Sequence, residues 1–152
     1  MIENPFVGAW RLISCELRNA TGQVGYPMGK DAQGYIMYSR EGYISVAFMS
    51  TGRTPFASED LRAGRVEEKV QAFDAYFSYC GRYEVRGETV IHHIEVSLFP
   101  NWIGKSQERR YRFDRNQLIL SAPPVLIDGI EQAAHLIWQK TAEHDHQSRR
   151  RT

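Results

Sequence analysis

Residues Glu88 to Trp102 read ETVIHHIEVSLFPNW, a long β-type run with two adjacent histidines and a glutamate that ends in an aromatic Phe-Pro-Asn-Trp corner. Side chains of a strand alternate between faces, so Thr89, Ile91, His93, Glu95 and Ser97 share one face. Val90, His92, Ile94, Val96 and Leu98 share the other. One face is mostly polar and the other mostly apolar. Such a strand belongs either to a two-layer sheet with a wet side or to a barrel whose interior is a polar-lined pocket.

Working outward, the neighbouring stretches are also β-prone and short. Arg82 to Val85 joins the central run through Arg86-Gly87, a tight hairpin signal. Lys105 to Phe113 and Gln117 to Ala122 meet at Asp114-Arg115-Asn116, and Gln132 to Thr141 forms a last strand after the turn Asp128-Gly129. Toward the N-terminus, Val7 to Arg18 reads as the first strand, and Gly34 to Tyr38 pairs with Gly42 to Met49 across Ser39-Arg40-Glu41. Val66, Val70, Phe73 and Phe77 recur at helical spacing, with Glu67 and Glu68 in the early turns where the helix dipole favours negative charge. This places one α-helix near residues 58-80, ended by Gly81, with its apolar stripe docked on the sheet.

The pattern predicts an all-β chain: an antiparallel up-and-down barrel of about eight strands, with no parallel βαβ rhythm. At 152 residues one domain is expected over 1-142, followed by a polar tail over 143-152. Nineteen basic residues against eighteen acidic give a net charge of +1, which draws the chain to neither nucleic acid nor an anionic membrane. Two distant cysteines, Cys15 and Cys80, form no disulfide framework. The N-terminus lacks a basic segment followed by an apolar run, so a soluble, cytoplasmic protein is expected. A homodimer is compatible with the sequence.

The stretch Val7-Gly8-Ala9-Trp10-Arg11-Leu12 resembles the glycine-x-tryptophan signature that opens the first strand of lipocalins. Further stretches resemble the small bacterial and fungal lipocalin-like domain proteins, among them Asp31 to Tyr38, Gly42 to Ser45, Gly81 to Val85, His92 to Glu95 and Ser97 to Trp102. The resemblance covers Gly8 to Lys140. It implies a calycin-type barrel that binds a small apolar molecule, and some barrels of this kind catalyse cyclisations or isomerisations in secondary metabolism. It also implies that Trp10 points inward and is covered by a basic residue of the last strand, a place held here by Lys140.

With Trp10 inward, strict alternation carries Leu12, Ser14 and Glu16 inward too. Gln107, Arg109, Tyr111 and Phe113 form one face of their strand. Together with His93 and Glu95 these residues give an interior whose charges must pair or bind something polar. Glu16, His93, Glu95 and Arg109 are therefore the candidate catalytic residues, with Arg109 anchoring a carboxylate or carbonyl while His93 or Glu95 moves a proton. An ion-pair network that fixes strand register explains the same residues equally well. Tyr35, Tyr38, Phe48, Ser97, Phe99, Trp102 and Tyr111 are candidate ligand contacts, although core packing accounts for most of the aromatics.

His92 and His93 face opposite ways and cannot share a metal, and His93 with Glu95 lacks a third ligand, so no metal is expected. No phosphate-cradling loop is present, and no cofactor is expected. Three functions follow in order: binding of a small, largely apolar organic molecule, a cofactor-independent isomerase, cyclase or lyase in the same pocket, and a packed-core interaction module.

Overall fold

A computed structural model describes residues 3–143. The order of elements is β1 (Gly8–Asn19), β2 (Val24–Gly25), β3 (Gln33–Tyr38), β4 (Tyr43–Met49), α1 (Val66–Asp74), β5 (Tyr76–Arg86), β6 (Thr89–Ser97), a 3-10 turn (Pro100–Trp102), β7 (Ser106–Asp114), β8 (Gln117–Ser121), β9 (Val125–Ile127) and β10 (Ile130–Lys140). The ten strands run in the order β2-β1-β3-β4-β5-β6-β7-β8-β10-β9, and an additional β1–β10 pairing closes the sheet. All pairings are antiparallel. Without the two short flanking strands β2 and β9, eight strands form the expected closed barrel. The tail expected over 143-152 lies outside the described residues from position 144 onward.

Two β-bulges set which side chains enter the barrel. In β1 the register with β10 shifts between Leu12 and Ser14, so Ile13 is an extra residue. Trp10 and Leu12 are buried before it, and Cys15 and Leu17 after it. In β6, Gly81 pairs with Ile94 while Cys80 pairs with Val96, which leaves Glu95 as the extra residue. A bulge reverses the alternation downstream of itself, so face assignments made by counting in twos fail beyond it.

Gly81 is no helix terminator. It lies inside β5, where a Cβ atom would fall on the carbonyl oxygen of His93. Glycine is required there because the two backbones approach closely at the bulge.

The helix is shorter than the spacing suggests and does not dock its apolar stripe. It ends at Asp74, and Phe77 belongs to β5, where it packs against Phe48 and Trp102. Val66, Val70 and Phe73 are 73%, 53% and 46% exposed. The segment is held by its polar side instead. Glu68 accepts hydrogen bonds from the backbone N–H groups of Arg65 and Ala57, both at 2.9 Å, and these lower its pKa. Arg53 donates to the carbonyl of Ala72 at 3.1 Å, and the Ser50 N–H to that of Ala75 at 3.0 Å. Four residues at spacing three and four gave a helical signal because a true helix runs directly into an alternating strand.

The barrel core is aromatic and graded along its axis. At the end where β1 begins, Phe6 plugs the interior: its ring lies edge-on to Tyr38, Tyr111 and Phe113 at 5.1, 4.9 and 5.0 Å between centroids. Edge-to-face contacts at these separations each add about 0.5–1.5 kcal/mol beyond area burial. Lys140 seals the same end. Its ammonium stands 4.7 Å from the Trp10 ring centroid and donates to the carbonyl of Val7. The covering of Trp10 implied by the resemblance is thus made by a lysine.

Candidate functional site

At the opposite end, Met28, Phe48, Phe77, Trp102 and Leu136 pack on the core yet stay only partly buried. Phe48 and Phe77 are direct partners across β4 and β5. These side chains form the rim of that end. Below the rim lie Tyr79, His92 and Arg109, respectively 7%, 1% and 8% exposed, with Tyr38 at 2%.

His92 is the centre of this group. Tyr38 Oη lies 2.8 Å from Nε2, and Tyr79 Oη lies 2.7 Å from Nδ1. Burial, helped by the charge of Arg109, lowers the imidazole pKa to about 3, so His92 is neutral at pH 7. Burial also raises the pKa of both tyrosines, with Arg109 acting in the opposite direction on each. Every group in the cluster except Arg109 is therefore uncharged.

Arg109 enters from β7 with Gln107 beside it. Its Nη1 donates to Gln107 Oε1 at 3.3 Å and to the Glu108 carbonyl at 3.1 Å, and its guanidinium lies 6.0 Å from the Trp102 ring centroid. Among the described residues no carboxylate forms an ion pair with it.

The structure relocates three of the four candidate catalytic residues. Glu16 follows the Ile13 bulge, pairs with His135 and accepts from Arg18 at 2.9 Å, so it lies on the outer wall. His93 and Glu95 are also outside. His93 lies 2.7 Å from both Glu84 Oε1 and Ser106 Oγ, and Glu95 pairs with Arg82 at 3.4 Å. The apolar face of β6 turns inward because Val90 and Ile94 belong to the core. A single neutral imidazole with two phenol partners is cheaper to enclose than an imidazole plus a carboxylate. Arg109 alone of the four is inside.

The candidate ligand contacts divide in the same way. Tyr38, Phe48 and Trp102 face the interior. Tyr35 is 50% exposed on the outer wall. Tyr111 is interior but at the plugged end, where its hydroxyl donates to the Gly87 carbonyl at 2.7 Å. Ser97 pairs with Tyr79 across β5 and β6, and its Oγ accepts from the Phe99 N–H at 3.2 Å. Phe99 lies edge-on to Trp102, with ring centroids 6.2 Å apart, and is 38% exposed. His92 and Tyr79 are the residues that sequence reasoning missed. The signal lay in the alternation itself, which groups His92 with Val90 and Ile94.

A model of the lipocalin-like domain matches residues 7–141. The chain belongs to the lipocalin-like domain family. A 4'-hydroxy-3'-methoxypropiophenone carrier protein of Aspergillus oryzae is 35% identical over 106 residues, which is 64% of this chain and 96% of that protein. A lipocalin-like protein from Bacteroides uniformis is 14% identical, with a TM-score of 0.48 over 91% of this chain and all of its own. An uncharacterized protein from Bacteroides eggerthii is 12% identical, with a TM-score of 0.44 over 90% of this chain and 99% of its own. Among the described residues no helix is long and apolar enough to cross a membrane.

Proposed function

We propose that this lipocalin-like protein is a carrier for a small, flat, largely apolar organic molecule held in the half of the barrel opposite Phe6. The observation that carries the reading is the buried polar cluster of Tyr38, Tyr79, His92 and Arg109 beneath an aromatic rim. Apolar walls with a few convergent polar groups are the usual lining of a small-molecule site. Phe77 and Trp102, 5.2 Å apart at 78°, offer perpendicular faces against which an aromatic ring can pack. The carrier role of the Aspergillus oryzae relative, which is named for an aryl ketone, supports binding over turnover. The acid–base reading is weakened because Glu16, His93 and Glu95 lie outside the barrel.

The test is titration with hydroxylated and methoxylated aryl ketones, followed by tryptophan fluorescence. Saturable quenching is expected, and Phe77→Ala should weaken binding by about tenfold, the loss of part of one aromatic contact. His93→Gln and Glu95→Gln should leave affinity within about twofold, since neither side chain reaches the interior. Loss of binding in those two variants, with the fold intact, would overturn the assignment.

A further inference from the structure

The polar cluster contains more hydrogen-bond donors than acceptors. A neutral imidazole has one N–H and one bare nitrogen, and both ring nitrogens of His92 are engaged by tyrosines. One tyrosine must donate its proton to the bare nitrogen. The other must accept the imidazole N–H, which leaves its own O–H unspent. The outcome is the same for either tautomer; only the identity of the spare hydroxyl changes. Neither Tyr38 nor Tyr79 hydrogen-bonds any other acceptor among the described residues.

Arg109 adds to the surplus. Five N–H groups surround its guanidinium; Nη1 serves the Gln107 amide and the Glu108 carbonyl, and the guanidinium also hydrogen-bonds the Tyr79 hydroxyl oxygen, so its neutral acceptors are fewer than its N–H groups. It is 8% exposed and has no carboxylate partner among the described residues. An enclosed cation without a counter-ion is costly, and the described residues supply no anion to offset it. The missing component is a negatively charged acceptor.

We infer that the site takes its ligand as an organic oxyanion, an aryl oxide or a carboxylate carried on a flat apolar body. The charged oxygen accepts from Arg109 and from the spare tyrosine hydroxyl, and the body packs against Phe48, Phe77 and Trp102. This inference rests on the carrier role proposed above. It adds that the phenolic proton of a hydroxyaryl ligand is released to solvent on binding, because His92 already has both nitrogens engaged and is not free to take it.

Three probes separate the possibilities: 4-hydroxyacetophenone, its methyl ether 4-methoxyacetophenone, and 4-acetylbenzoate. The hydroxy ketone should bind more tightly as pH rises toward its own pKa, by about tenfold per pH unit, while the methyl ether stays flat. Its absorption should show the aryl oxide band when bound, at a pH where the free probe is neutral. Tight, pH-independent binding of 4-acetylbenzoate near neutrality would identify the carboxylate as the preferred form of the oxyanion. Arg109→Gln should remove the pH dependence and the band, and Arg109→Lys should restore part of both. Equal, pH-independent binding of the hydroxy and methoxy ketones, with no bound aryl oxide and weaker binding of the benzoate, would refute the oxyanion while leaving the carrier role standing. Absence of binding by all three would refute the carrier role itself.

Discussion

His92 should make the protein acid-sensitive in a window set by its burial. The unfolded chain protonates this imidazole near pH 6.5, whereas the folded chain holds it neutral down to about pH 3. Between those values the unfolded state binds the extra proton, so stability falls as pH falls, by about 1.4 kcal/mol per pH unit for one group. From pH 6.5 to pH 4.5 the loss from His92 alone is about 2 kcal/mol. That is a large part of the 5–15 kcal/mol or so that holds a typical domain folded. The perturbation is His92→Gln, which cannot titrate but still offers a donor and an acceptor to the two tyrosines. Chemical denaturation of both proteins at half-unit intervals between pH 7 and 4 gives the comparison. Carboxylates elsewhere titrate equally in the two and cancel in the difference. The wild-type advantage at pH 7 should shrink by about 1.4 kcal/mol per unit below pH 6.5 and reverse in sign if the amide packs well. Parallel stability curves would show that His92 carries its proton at the same pH folded and unfolded, and the neutral Tyr38–His92–Tyr79 cluster would be wrong.

Two further substitutions probe the barrel itself. Gly8 has φ = +131° and no space for a Cβ beside the Lys140 ammonium, so Gly8→Ala should cost about 1–3 kcal/mol in backbone strain alone, read as a lowered Tm. The Lys140 ammonium is the far end of a flexible side chain and can swing aside, so adding Lys140→Met should recover none of that backbone strain. Gly81→Ala forces a methyl group into the His93 carbonyl at the Glu95 bulge; soluble protein with wild-type Tm would show that the bulge is not as tight as described.

Strand identity was legible in the sequence because alternation and turn chemistry repeat along the chain. Arg86-Gly87 and Asp114-Arg115-Asn116 mark hairpins that the structure contains. The facing of individual residues was legible only up to the first irregularity. Trp10 and Leu12 face inward by simple counting, but Ile13 is surplus, and Glu16 beyond it lands on the other wall. No local sequence feature marks that bulge, because it is set by pairing with a strand more than a hundred residues away. Arg109 was placed correctly because β7 pairs without a shift on both sides. On β6 the error was one of choice: the polar face looked chemical, but the face with most to gain from burial held His92. The helix was misjudged for a similar reason, since Val66, Val70 and Phe73 form a stripe with no surface to cover.

The β1–β10 seam constrains how the molecule is made. Trp10 pairs with Lys140, 130 positions further along the chain, and loop-closure entropy makes such distant pairing a late and slow event in folding. During synthesis β1 leaves the ribosome long before its partner exists, so one of its edges stays bare until the final strand emerges. Chains stalled before Ile130 should therefore be aggregation-prone and dependent on chaperones, whereas complete chains close the ring and lose both edges at once.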